Sequence, residues 1–199
     1  MKKFGFAVVA LCAAAGAAQA ITLTAQAINS GTFGPRADTV VYSHIDAPYS
    51  AFAAGNYLGF DDYVTTEAGP TTSLNSMRFV GGVTVANTAL QFNFYNAAGT
   101  TLITSFALTF GTAGNFIWTI TDIGGESIAS DGIMEVVGVA GATGRWFLST
   151  SATTVGSDDR TFGDSTTPNN QHSFELSVPA PSSLALLAFG GIAAGRRRR

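Results

Sequence analysis

Hydrophobic and polar residues alternate along most of the chain, which is the pattern of β-strands. In residues 90–95, Leu90, Phe92 and Phe94 alternate with more polar neighbours, and residues 116–121 repeat this spacing. A period of two places one set of side chains on the buried face of a sheet. Helices have no comparable signal in the middle of the chain.

Short runs of this kind, rich in Val, Ile, Thr, Phe and Tyr, predict about ten strands. They cover residues 21–28, 39–45, 57–64, 73–80, 90–95, 101–110, 116–121, 132–139, 145–150 and 172–178. Turn residues lie between them, and residues 96–99 predict a short hairpin. The polar segment 156–171 predicts a long loop. We expect an all-β protein with a single antiparallel β-sandwich, jelly-roll-like, over residues 21–177; a closed barrel is the main alternative.

The N-terminal residues predict a secretory signal peptide over residues 1–20. Two lysines precede the apolar stretch 4–18, and Ala18 and Ala20 supply the small residues that signal peptidase requires, with cleavage after Ala20. Cleavage would remove Cys12, the one cysteine of the chain. The mature protein is therefore expected to have no disulfide and no thiol nucleophile.

The distribution of charge predicts an acidic exported domain. Between Ile21 and Pro181 there are four basic and 13 acidic residues, a formal charge of −9, and no lysine. Nucleic-acid binding is disfavoured because contacts with phosphates need a basic surface. The absence of lysine from this part of the chain also excludes Schiff-base chemistry and a phosphate-loop lysine there.

The C-terminal residues combine a proline-rich hinge, a hydrophobic segment and a cluster of arginines. The hinge is Val178, Pro179, Ala180 and Pro181, the hydrophobic segment is 182–195, and the cluster is Arg196, Arg197, Arg198 and Arg199. As a helix, the 14 residues of the segment would span about 21 Å, against about 30 Å of hydrocarbon. We expect a short transmembrane helix whose arginines stay on the cytoplasmic side.

This arrangement resembles the PEP-CTERM sorting signal of Gram-negative bacteria, which exosortases process on surface and matrix proteins. Ala180 stands where the family pattern has glutamate. The resemblance covers residues 178–199 and implies an exosortase as partner. It also implies transient retention in the inner membrane, cleavage at or near Pro181, and a cell-surface or extracellular location afterwards. An ordinary short membrane anchor is the alternative.

One group of acidic residues is a candidate metal site. Asp158, Asp159 and Asp164 crowd a single loop, and oxygen ligands at this density suit calcium. Arg160 and Phe162 occupy positions where a calcium loop would carry oxygen ligands. The alternative is a solvated acidic loop without a metal.

A second group is a candidate sugar site. Asp61 and Asp62 stand beside aromatic residues, among them Tyr63. A pyranose packs its apolar face on an aromatic ring while carboxylates accept hydrogen bonds from its hydroxyl groups. The alternative is that both acids face water at the end of a strand and that the neighbouring Phe60 belongs to the core.

No strong enzyme signature is present. The chain has two histidines, His44 and His172, and residues 125–129 lack the second glycine of a nucleophile elbow. We therefore expect an exported surface or extracellular-matrix protein without catalytic activity, associated with exopolysaccharide or biofilm. A carbohydrate-binding module is the first alternative, and a secreted hydrolase is the second.

Overall fold

The fold is built from β-strands, as the alternating pattern predicts. The structure, a computed structural model, describes residues 21–28, 38–50, 54–159, 163 and 170–180. Fifteen strands lie within these ranges, and the all-β prediction is confirmed. In the same ranges no helix has the length and hydrophobicity needed to span a membrane. The predicted signal peptide and transmembrane helix lie outside the described residues and stay predictions.

The strands are short, and their bounds follow the predicted runs closely in most cases. In chain order they are β1 (Thr22–Ala27), β2 (Thr39–His44), β3 (Tyr49–Ser50), β4 (Tyr57–Val64), β5 (Thr71–Leu74), β6 (Ser76–Val83), β7 (Thr88–Asn96), β8 (Leu102–Phe110), β9 (Phe116–Thr121), β10 (Glu126–Ala129), β11 (Asp131–Gly138), β12 (Gly144–Trp146), β13 (Leu148–Ser149), β14 (Gln171–His172) and β15 (Phe174–Val178).

Two larger sheets contain most of the strands, and all their pairings are antiparallel. The first sheet has the order β1, β9, β6, β15, β2, with β12 paired to the end of β6. The second sheet has the order β4, β11, β7, β8. Two small sheets pair β10 with β5, and β14 with β13 and β3. Strand β15 is therefore central in the first sheet, between β6 and β2.

The inner faces of the two larger sheets meet in one aromatic core. Phe79 of β6 packs edge-on against Phe92 of β7, with ring centroids 5.4 Å apart. Phe110 of β8 packs edge-on against Trp118 of β9 at 4.8 Å. Edge-to-face contact is the favoured geometry of aromatic pairs. Burying a side chain such as Phe79 contributes roughly 1.5–3 kcal/mol to the free energy of unfolding.

Three predicted runs are each divided into two strands. Run 73–80 divides at Asn75, whose N–H donates to the Ser177 carbonyl oxygen at 2.9 Å. Runs 145–150 and 172–178 divide at Phe147 and Ser173, where the chain passes from one sheet to another. The N–H of Ser173 donates to the Phe147 carbonyl oxygen and that of Phe147 donates to the Val80 carbonyl oxygen, both at 2.8 Å. The predicted runs continue through each change of partner, so the alternating pattern does not reveal it.

The predicted hairpin at residues 96–99 is confirmed. It joins β7 to β8, and the Asn96 side-chain oxygen accepts the N–H groups of Thr100 and Thr101 at 2.9 and 3.1 Å. Gly99 has a φ of 67°, in the left-handed region that favours glycine. The turn is therefore fixed by its own side-chain hydrogen bonds.

The aromatic core yields a direct test of the fold. We expect Phe79→Ala to lower the free energy of unfolding by about 3–5 kcal/mol, because it leaves a cavity where both sheets meet. Val85→Ala is the control, since Val85 is 60% exposed and its replacement should cost less than about 0.5 kcal/mol. Denaturant unfolding measures both, and equal effects would contradict the described core.

Candidate functional site

A group of mostly buried polar side chains lies between the two larger sheets, next to their edge strands β2 and β4. Asp61 projects inward from β4, directly opposite Met134 of β11. Tyr42 and His44 project inward from β2, opposite Leu176 and Phe174 of β15. Together with Asp158, and with Asp62 on the outer face of β4, they form the polar cluster: Tyr42, His44, Asp61, Asp62 and Asp158.

The segment 153–158 brings Asp158 into this cluster by pairing with the edge strands of both sheets. Its Thr154 N–H donates to Ser43 of β2 at 2.9 Å, while its Ser157 N–H donates to Val64 of β4 at 3.0 Å. Gly156 makes the turn between these bonds with a φ of 73°, and a Cβ there would lie 2.3 Å from the Val64 carbonyl oxygen. Only glycine fits this position. The start of the predicted loop 156–171 is thus bound to the sheets.

Asp61 is held by two backbone donors. Its Oδ2 accepts the N–H of His172 at 2.5 Å, and its Oδ1 accepts the N–H of Asp62 at 3.0 Å. The side chain is 1% exposed. Loss of water raises the pKa of Asp61 well above its usual range, although the two N–H donors oppose the shift. The expectation that this acid faces water at a strand end is corrected, because the residue points into the core.

Asp62 lies on the opposite face of β4 and is half-buried. Its Oδ2 accepts the N–H of Asp159 at 2.8 Å, whereas its Oδ1 is buried and has no hydrogen bond from the described residues. Burial raises the pKa of Asp62 to about 6, with Asp158 and Asp159 contributing repulsion. The two acidic stretches identified in the sequence therefore meet here, although 97 residues separate Asp62 from Asp159.

Asp158 is paired with a histidine inside the cluster. Its Oδ2 lies 3.1 Å from His44 Nδ1 and accepts the Thr153 hydroxyl at 2.5 Å. The other ring nitrogen of His44, Nε2, lies 3.2 Å from the Ser149 carbonyl oxygen. A carbonyl oxygen only accepts, so Nε2 carries a hydrogen. Both side chains are almost fully buried, which corrects the expectation of a solvated loop for Asp158.

The phenol of Tyr42 completes the cluster. Burial raises the pKa of Tyr42 well above its usual range, and the carboxylates of Asp61, Asp158 and Asp62 add to the effect. Its hydroxyl faces Asp158 without the geometry of a full hydrogen bond. Neither the place of Tyr42 nor the pairing of His44 with Asp158 was predicted from the sequence. The available signal was that Tyr42 and His44 are two residues apart on a strand, which places both side chains on the same face.

The calcium hypothesis is not supported by a ligand set in the part of the chain that the structure describes. There, no three acidic, histidine or cysteine side chains converge in an arrangement that could hold a metal ion. Asp159 turns its backbone N–H toward Asp62, and Asp158 turns its carboxylate toward His44. Asp164 lies outside the described residues.

Tyr63 belongs to the core. Its side chain is fully buried, and its ring contacts Phe174 edge-on at 6.2 Å and Phe94 at 6.3 Å. Burial raises its pKa above the usual range. The expectation that Tyr63 presents a ring to a sugar is therefore corrected, because period-two alternation places it on the inner face of β4.

The sorting segment begins inside the fold. Ser177 and Val178 are the last residues of β15, and both are buried. Ser177 pairs with Ser76 on one side and Val40 on the other. Pro179 and Ala180 follow without regular structure and are partly exposed. Pro181 and the arginines of the tail, like Ala18 and Ala20 of the predicted signal peptide, lie outside the described residues.

These features define an all-β protein whose central strand β15 leads directly into the C-terminal segment. Residues 177–199 match the family model of the PEP-CTERM protein-sorting motif, so the chain carries this motif, as its resemblance predicts. The motif implies recognition by an exosortase, passage through the membrane and delivery to the cell surface. No curated protein and no solved structure shows significant similarity to the chain.

The raised pKa of Asp62 predicts how stability depends on pH. The folded state holds the proton of Asp62 up to about pH 6, whereas an unfolded chain releases it near 3.8. This contribution to stability is therefore complete below the unfolded pKa and is lost as pH rises through about 6. Burial gives Asp61 the same sign. We expect Asp62→Asn to raise the melting temperature at pH 7 by a few degrees and to have little effect at pH 4.

The control for this prediction is Glu67→Gln, which changes an exposed acid in the loop after β4. Melting curves of the parent and both variants at pH 4, 5.5 and 7 provide the measurement. An Asp62→Asn effect that is the same at every pH would contradict the assignment, because a neutral side chain differs from aspartate only where the carboxyl group ionises.

The position of β15 predicts where the chain can be shortened without loss of the fold. A chain ending at Ala180 keeps β15 and should melt within a few degrees of the full chain. A chain ending at Ser173 lacks the strand that joins β6 to β2 and should not fold. Circular dichroism and thermal unfolding distinguish the two, and a cooperative transition in the shorter chain would contradict the central placement of β15.

Proposed function

We propose that this chain is an exported surface or extracellular-matrix protein, sorted and processed by an exosortase and associated with exopolysaccharide or biofilm. The signal peptide would be removed after Ala20, and cleavage at or near Pro181 would release or transfer the domain. The observation that carries the proposal is the sorting motif at residues 177–199. Four arginines at the far side of a short apolar segment would retain the chain at the membrane until it is cut.

The boundary between domain and signal supports cleavage near Pro181. Val178 is still paired with Thr39 of β2, so the fold reaches that residue. A protease needs an extended and accessible segment, and proline disfavours helix at the residue before it. Pro179 follows the last strand and is partly exposed, and a second proline at position 181 would favour the same extended form. A cut there would leave every described strand pair intact.

We infer that the exported domain is a β-sandwich with a jelly-roll-like arrangement. The contacts of Phe79 with Phe92 and of Phe110 with Trp118 join the two larger sheets face to face. The links from β6 to β7 and from β8 to β9 pass from one sheet to the other, as in Greek-key folds. A sandwich has two outward faces, and these are the surfaces open to matrix components.

A role without catalysis accords with the environment of the polar cluster. The His44 Nε2 atom is directed at a main-chain carbonyl, and the Thr153 hydroxyl, 3.1 Å from His44 Nδ1, donates its hydrogen to Asp158. The Asp61 and Asp158 side chains are too deeply buried to flank a substrate bond. These contacts support a stabilising role for the cluster over the alternative of a secreted hydrolase.

A carbohydrate-binding module is the second candidate. It is favoured by the outward face of the sheet β4, β11, β7, β8, where half-buried Phe60 and Tyr95 stand beside Glu135. Aromatic walls with a few polar groups are typical of sugar sites. This reading is compatible with the sorting function, since a surface protein associated with exopolysaccharide needs a way to hold it.

Mass spectrometry of the surface-associated protein tests the proposed sorting in cells that possess an exosortase. We expect a mature species that begins at Ile21 and ends at or near Pro181. Deleting residues 196–199 should abolish this processing, because the short apolar segment would lose its cytoplasmic stop. Replacing the four arginines with lysines is the matched control and should preserve retention, since the positive charge is kept.

A native surface species that still carries Arg199 would contradict the proposal and favour the plain membrane anchor. Normal processing of the chain without arginines would contradict the role assigned to the cluster of positive charge.

A further inference from the structure

The outward face of the second sheet places aromatic, amide and acidic side chains next to one another. Glu135 of β11 stands opposite Phe60 of β4 on one side and Asn93 of β7 on the other. Ile133, two residues earlier on β11, stands opposite Tyr95 of β7. Residues directly opposite in a sheet project from the same face, and so do residues two apart. The five side chains therefore share one outward surface.

A depression of about 330 Å³ lies in this surface. Its lining consists of Phe60, Tyr95, Ala98, Gly99, Ile133 and Glu135. The turn of the β7–β8 hairpin forms one wall, where a Cβ added to Gly99 would come within 3.1 Å of the Ile133 side chain. The volume falls at the lower end of the range for small-molecule sites, which begins near 300 Å³.

Glu135 is held by two side-chain hydrogen bonds, and both are accepted by the same carboxylate oxygen. Its Oε2 accepts the amide N–H of Asn93 at 2.9 Å and the hydroxyl of Tyr95 at 3.1 Å. Within the described residues, no donor reaches its Oε1. Burial and the neighbouring carboxylate raise the pKa of Tyr95, so the phenol stays a donor at neutral pH. The site thus presents a single oriented acceptor between two rings.

This combination suits a pyranose ring. The apolar face of a pyranose carries C–H bonds that pack on Phe or Tyr, and its hydroxyl groups donate well to a carboxylate oxygen. Acidic sugars are disfavoured because the lining contains a carboxylate and no basic side chain, in a domain with a formal charge of −9. A neutral sugar can donate a hydroxyl hydrogen to the Glu135 carboxylate without electrostatic repulsion.

We propose that this face binds a neutral hexopyranose unit of a polysaccharide, with Phe60 and Tyr95 as the apolar walls and Glu135 as the hydroxyl acceptor. The inference rests on the proposed association with exopolysaccharide and gives that association a site and a ligand class. Asp62 shares the outward face, opposite Ile133, but its carboxylate accepts the Asp159 N–H and it does not line the depression. The proposed site shares strand β4 with the sugar site predicted at Asp61, Asp62 and Tyr63, but its acceptor, Glu135, lies on the neighbouring strand β11.

Affinity electrophoresis of the full chain in mild detergent tests the proposal. The gels contain dextran, mannan, galactomannan or hydroxyethyl cellulose as neutral polymers, and alginate or chitosan as charged ones. We expect at least one neutral polymer to retard the protein. Glu135→Gln should raise the dissociation constant at least about tenfold, since a hydrogen bond to a charged group contributes that much. Tyr95→Ala should also raise it, because it removes one apolar wall.

Glu126→Gln is the matched control for Glu135→Gln. Glu126 accepts one side-chain hydrogen bond, from Thr104, and lies on β10 outside the depression. Its replacement should leave retardation unchanged. Melting curves of every variant separate a loss of binding from a loss of fold, and Tyr95→Phe, which keeps the ring, should weaken binding less than Tyr95→Ala.

Three outcomes would overturn the site. The first is that none of the four neutral polymers retards the protein, and the second is that Glu126→Gln weakens binding as much as Glu135→Gln. The third is that chitosan alone retards the protein and that this effect disappears in about 0.5 M NaCl, where surface charge is screened.

Processing of the C-terminal segment is measured on the same variants. Normal processing of Tyr95→Ala with lost binding supports the site, whereas absent processing in the parent refutes the sorting function and leaves the carbohydrate result to stand alone.

Discussion

The insertion of β15 between β6 and β2 is the constraint on which the rest of the structure depends. Phe174 and Leu176 of this strand are fully buried in the aromatic core, while its backbone pairs with a strand on each side. A central strand contributes hydrogen bonds along both edges and side chains to the core. The five residues of β15 therefore complete the first sheet, contribute to the core and carry the sorting segment.

The polar cluster follows from how the two sheets are joined at their edges. Segment 153–158 hydrogen-bonds to β2 in one sheet and to β4 in the other, and this bridging carries Asp158 into the interior. Burial of a carboxylate is costly unless it is protonated or hydrogen-bonded. Asp61 has two backbone donors, and Asp158 has His44 and Thr153, so each acid meets a specific partner.

Much of the fold could be predicted from the sequence because strand periodicity is a local property. Residues 57–64 and 116–121 coincide with β4 and β9, and the hairpin at 96–99 has the predicted place. Changes of partner at Asn75, Phe147 and Ser173 could not be predicted, since they depend on which strands meet in space.

The candidate site was less predictable for the same reason. The acids of the two predicted stretches were recognised separately, but their meeting depends on pairing between residues about a hundred positions apart. The inward direction of Asp61 and Tyr63 follows from alternation only once the buried face of β4 is known. Glu135 was not identified because its environment is made by Asn93 and Tyr95 on a neighbouring strand. The C-terminal motif was recognisable because its information is contained in one contiguous segment.

The place of β15 also sets an order of events during synthesis and export. Every other described strand precedes it in the chain, so the first sheet stays divided between β6 and β2 until residues 174–178 have crossed the membrane. Only three residues, 179–181, then separate the end of the strand from the apolar segment, a reach of about 10 Å when extended. If the apolar segment is held in the membrane, as proposed, the domain would complete its fold against the membrane surface, and the hinge would follow a paired strand only in a chain that has finished folding.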